Sequence, residues 1–170
     1  MTISALNPTH GSEPQPATHT LPVSRAILCA TLVVGVLDAV DGVVFRGLQG
    51  QNPIQVLQYI ASSLLGARSF LGGLATAGLG VVVHFAIALV VAAIYILAGR
   101  RVDVLRTQWV FLGLLYGSAV LAVMNLLVLP LTAVAPGPIM TTALVNGVIG
   151  HALFVGLPSA FFAKKVAAAE

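Results

Sequence analysis

The sequence predicts an all-α integral membrane protein, a four-helix bundle with an additional amphipathic interfacial helix in the connection between the first and second crossings. Three observations carry this. Of 170 residues, 58% are hydrophobic and 8% charged, with a mean hydropathy of +1.02, whereas soluble domains carry roughly a quarter charged residues. The apolar residues gather into four blocks, at about residues 22–45, 75–98, 108–131 and 141–163, each long enough for the ~20 helical residues that a hydrocarbon core requires. None of these blocks alternates with the period of two expected of a barrel strand, and a segment in lipid must satisfy its own backbone, so helices are selected.

In chain order, residues 1–21, "MTISALNPTHGSEPQPATHTL", are rich in Pro, Thr and Ser without periodicity and read as a disordered tail, with His10 and His19 solvated. No charged-then-apolar order opens this stretch, so it is not read as a signal peptide, and the first apolar block is expected to remain as a helix. The connection at 46–74 contains "NPIQVLQYIASSLLG", in which Asn52 is a candidate N-cap and Pro53 the first helical residue of a helix over about 53–66. On a wheel, Ile54, Val56, Leu57, Ile60, Ala61, Leu64 and Leu65 share one side of it, and Gln55, Gln58, Tyr59 and Ser62 the other. Such a helix is expected to lie over the bundle as a lid or brace. Gly72 and Gly73 lead into the second crossing, and "LPLTAVAPGP" makes an uncharged turn between the third and fourth. Pro158 removes a backbone donor from the fourth crossing and is expected to kink it. Residues 166–170 form a short tail, so that 22–165 make one transmembrane domain.

Four crossings put the N-terminal tail, the loop at 99–107 and the C-terminus on one side, with Arg25, Arg100, Arg101, Arg106, Lys164 and Lys165, and leave Arg46 and Arg68 on the other. The basic side faces the cytoplasm. These cations sit at helix ends rather than in a stripe with aromatics, so the net charge of +3 does not point to nucleic acid. The bilayer is the expected partner. Trp109 stands where an interfacial anchor belongs, Tyr95 and Tyr116 read as packing residues, and the single Cys29 reads as a small buried hydrophobe.

Two carboxylates inside an apolar block are the feature that bulk hydropathy does not explain, because a charge at mid-membrane costs a few kcal/mol even on the gentler scales. Thr31, Gly35, Asp38 and Gly42 form one stripe of the first crossing, with Asp41 at its edge. Gly80 and His84 share a stripe of the second crossing, Ser118, Ala122 and Asn125 one of the third, and Gly147, Gly150 and His151 one of the fourth, with Asn146 turned further round. Counted at 1.5 Å per residue, Asp38, Asp41, His84, Asn125, Asn146 and His151 all fall in the outer half of the bilayer. One polar cluster is therefore expected. The small residues Gly35, Gly42, Gly80, Gly147 and Gly150 allow close helix approach, and Gly113 and Gly117 have the GxxxG spacing that serves packing within a bundle or association between copies.

Several functions fit an acid facing a base. Hydrogen bonds between helices alone would make the protein a structural or accessory subunit of a larger membrane complex. Carboxylates facing histidines also suit binding or transport of a proton, a cation or a small polar group. His84, His151 and Asp38 are ligand types for a divalent metal, and the two histidines for axial ligation of haem b, although no HxxxH or HxxE spacing supports a metal. GxSxG, Walker A and CxxC patterns are absent from the sequence, which leaves a non-enzymatic binding or transport protein, with no cofactor, as the first expectation.

The stretches "VLQYIASSLLG", "HFAIALVVAAIYILAGR", "LLYGSAVLAVMNLLVLPL" and "GHALFVGLPSAFFAKK" resemble a group of small bacterial inner-membrane proteins with no function attached to them, over roughly residues 25–165. The resemblance implies a four-helix bundle in a bacterial plasma membrane. It implies no substrate, cofactor or site residue.

Overall fold

The computed structural model describes residues 20–134 and 140–169. Residues 1–19 of the sequence-predicted tail, with His10 and His19, and residues 135–139 at the turn between the last two crossings lie outside the described residues. The rest is helical: α1 (Val23–Gly47), α2 (Pro53–Leu65), α3 (Gly73–Arg101), the single turn α4 (Val104–Thr107), α5 (Trp109–Leu131) and α6 (Thr141–Lys164). Among the described residues, α1, α3, α5 and α6 are the four helices long and apolar enough to cross a membrane. α2, with 13 residues, spans only about 20 Å.

α2 begins where its sequence dictates. The Asn52 side chain accepts from Gln55 N at 3.0 Å and the Gln55 side chain accepts from Asn52 N at 3.0 Å, a complete capping box ahead of Pro53. The helix ends at Gly66, whose φ of +58° favours glycine, and a 3-10 turn over Gly66–Leu71 leads to α3. The two faces of α2 do not divide as the wheel predicts. Gln58 and Ser62, from the polar side, are buried, while Leu64 and Leu65, from the apolar side, are exposed. The reason is local bonding: Gln58 Nε2 donates to Gly73 O at 3.0 Å and to Thr76 Oγ1 at 3.3 Å, so the polar side is drawn onto the first turn of α3.

Small residues set the helix spacings. A Cβ on Gly80 would collide with the backbone of Leu57, one on Gly117 with the backbone of His151 and Ala152, and one on Gly113 with Ala160 and Gly156. Gly113 and Gly117 are thus spent on the α5–α6 seam inside one chain. Gly35 admits the Phe85 ring and Gly147 the Leu121 side chain, whereas a Cβ on Gly42 would meet nothing. Gly42 is not a packing glycine.

Beyond this level, Ala26, Ala30, Ala92, Ile96, Ala160 and Ala163 form a core of mostly small side chains. Tyr95 and Tyr116 pack edge-on with ring centroids 4.8 Å apart, and their hydroxyls donate to Leu105 O and Val91 O. Leu21 N donates to Lys165 O and Ala169 N to Arg100 O, both at 2.8 Å. These bonds gather the start of α1, the end of α3 and the end of α6 at one end of the bundle, together with the basic residues there. Lys164 lies 5.1 Å from the Trp109 ring centre. Cys29 is exposed rather than buried, because the face of α1 that carries Leu28, Leu32 and Val36 turns away from the other helices.

α5 and α6 each contain a π-helical stretch, Met124–Val128 and His151–Gly156. In each case a proline follows within two residues, Pro130 and Pro158. Neither can donate to the carbonyl four residues back, and its ring crowds that carbonyl. Widening the preceding turn relieves the clash. The helix is thereby re-phased where a kink alone was predicted.

Candidate functional site

The polar side chains come together because α1, α3, α5 and α6 bring their stripes to one level, with α2 closing the side. The result is a cavity of about 510 Å³, and Asp38, Asp41, His84, Asn125, Asn146 and His151 all line it. Most of its remaining wall is aliphatic, with Leu57 and Ile60 from α2, Ile87 and Val91 from α3, Val120 from α5 and Val155 from α6. Gly42, with open space where a side chain would stand, belongs to the same lining.

Within the cavity, contacts are selective. Asn146 Nδ2 donates to Asp41 Oδ2 at 3.0 Å, tying α6 to α1. Gly150 makes this possible: a Cβ there would lie 2.6 Å from the same carboxylate oxygen, so the missing side chain is the seat of Asp41. His151 Nδ1 stands 3.8 Å from Asp38 Oδ1, beyond hydrogen-bond reach. That nitrogen is buried and makes no hydrogen bond among the described residues. Asp38 and His151 thus face each other across a gap.

The other two members turn to backbone. His84 Nε2 lies 2.8 Å from Gly35 O, and since a carbonyl only accepts, this nitrogen carries the proton. Asn125 Nδ2 donates to Leu121 O of its own helix at 2.9 Å, which leaves its carbonyl oxygen for the cavity. The six residues are therefore one lining rather than one bonded network.

Nothing in this arrangement gathers a metal set. Among the described residues no group of three or more His, Cys, Asp or Glu stands close enough to hold an ion. The predicted trio of His84, His151 and Asp38 is not such a group; His84 is turned to α1, with Nε2 against Gly35 O.

Compared with protein-family models, curated proteins and solved structures, the chain matches none. The site has to be read from its own chemistry.

Two residues of the lining escaped the sequence reading. Arg46 extends into the cavity wall with its guanidinium carbon 4.4 Å from the centre of the Tyr59 ring, a cation–π contact that anchors the charge. The signal was present, since Arg46 stands one helical turn beyond Gly42 on the stripe that holds Asp38. Tyr59 was assigned to the polar side of α2, but only the packing of α2 over the α1 end turns that side toward Arg46.

Proposed function

We propose that the protein is a multi-pass protein of the bacterial inner membrane, with both termini cytoplasmic, that binds a cation or small polar group in its intramembrane cavity. Its four long helices expose large apolar side chains over their length, such as Leu28, Leu32, Val36, Val40 and Val44 along α1, and an apolar exterior of this extent fits lipid rather than water. The concentration of Lys and Arg at the end that holds the C-terminus supports a cytoplasmic assignment for that end. In this orientation the cavity opens toward the outer half of the bilayer.

The observation that carries the binding reading is the cavity itself. Residues that only glue helices together fill the space between them, whereas Asp38 and His151 line a void and do not reach each other. The carboxylates supply oxygen acceptors for a cation, and Asn146 and Asn125 supply further hydrogen-bonding groups. A structural-subunit reading draws on the His84–Gly35 and Tyr116–Val91 bonds, which do join helices.

Titration of the protein in phosphatidylcholine nanodiscs with methylammonium separates the two. Binding to the folded state raises the unfolding temperature with ligand concentration. The expected result is a saturable rise in the wild type that disappears in Asp38→Asn/Asp41→Asn at unchanged helix content. A folded double variant with the same rise leaves the polar residues as helix glue.

A further inference from the structure

The size, charge and surroundings of the cavity specify its ligand more closely, on the basis of the binding reading above. A water-sized occupant takes up only about 30 Å³, and the cavity of about 510 Å³ falls in the range that encloses organic molecules of ~300–1,000 Å³. Its charged lining consists of two carboxylates, Asp38 and Asp41, and one guanidinium, Arg46. The carboxylates outnumber the guanidinium by one. In low-dielectric surroundings an uncompensated charge is expensive, so the complementary ligand carries one positive charge. Most of the wall is aliphatic, so the rest of that ligand is apolar.

A second depression, of about 370 Å³, lies on the outer face of the α1–α6 seam and is lined by Phe45, Thr141, Thr142, Val145, Asn146 and Ile149. Val145 and Ile149 are 53% and 55% exposed, which puts this depression on the apolar exterior. Phe45 and Asn146 line both spaces. One ring and one amide thus face both the exterior depression and the cavity, and the amide is the group that holds Asp41.

We propose that the cavity takes a membrane-dissolved primary amine with a hydrocarbon chain, which enters sideways through the α1–α6 seam past Phe45 and Asn146. Its ammonium takes over from Asn146 Nδ2 as the donor to Asp41 and reaches toward Asp38, while its chain lies along the aliphatic wall. Release of Asn146 from Asp41 couples arrival of the head group to opening of the seam.

The test uses the full chain in phosphatidylcholine nanodiscs and radiolabelled dodecylamine, with protein-free nanodiscs as the background. Expected is saturable binding that unlabelled dodecylamine displaces, that butylamine displaces at least about tenfold less well because it lacks most of the chain, and that dodecanol does not displace. Asp41→Asn abolishes it. Val145→Trp, a substitution at an exposed position that fills the outer depression, slows association several-fold by rapid filtration without altering helix content. Butylamine as effective as dodecylamine overturns the amphiphile while leaving cation binding intact. Dodecanol as effective as dodecylamine, with no effect of Asp41→Asn, overturns both. No displaceable dodecylamine binding, beside a saturable response to methylammonium, also overturns the amphiphile alone. Unchanged association in Val145→Trp overturns the lateral route.

Discussion

Asp41 is the residue on which most of the site converges, held by Asn146 and seated over Gly150. Removing the amide with Asn146→Ala leaves the carboxylate without a donor from the protein. The expected loss is about 1 kcal/mol, the scale of interhelical hydrogen bonds in membranes, read as a lower unfolding temperature. Gly150→Ala acts differently. Its Cβ needs the space of the carboxylate, which is the end of a movable side chain, so the expected outcome is a folded protein in which Asp41 is displaced and the methylammonium response is weakened. A Gly150→Ala variant with unchanged response would separate Asp41 from the binding site. Asp38, Asp41 and Asn146 were legible as polar residues at one depth, because rise per residue is fixed by the helix. That Asp41 pairs with Asn146 while Asp38 and His151 stay apart was not legible, because a difference of an ångström depends on how two helices seat.

Whole elements meet through backbone where glycine allows it. α5 and α6 touch at Gly117 and Gly113 so closely that added carbons would strike main-chain atoms or a neighbouring Cβ, which cannot swing aside. Gly117→Ala is therefore expected to destabilise the protein by about 1–3 kcal/mol, the usual range for overpacking, measured by reversible unfolding in mixed micelles. Gly42→Ala serves as the contrast: its Cβ enters open space, and stability should stay the same or rise slightly through helix propensity. The sequence marked both glycines alike, as residues that let helices approach closely. It also marked Pro158 as a kink, and what the structure adds is a π-helical stretch before Pro158 and another before Pro130. Each stretch includes a site residue, His151 or Asn125, and local widening re-aims side chains that a regular wheel places only approximately.

At the scale of the molecule, the distribution of charge predicts orientation. A fluorescent protein fused to the C-terminus is expected to fluoresce and alkaline phosphatase there to stay inactive, whereas phosphatase inserted at Gln49, in the turn after α1, is expected to be active in the periplasm. Activity at the C-terminal position and none at Gln49 would invert the bundle and turn the cavity to the other leaflet. The four long helices and the N-cap of α2 follow from the sequence by itself, because hydropathy over a span, the period of a helix and the chemistry of a cap are properties of neighbours in the chain. The cavity, the seam between α1 and α6, the inward turn of Gln58 and the recruitment of Arg46 and Tyr59 were decided only by the tertiary structure. Their physical reason is common to all: which face of an apolar helix meets which neighbour is set by close-packed contacts between segments far apart in the chain, and in an apolar chain many faces look alike until the small residues and buried hydrogen bonds choose among them.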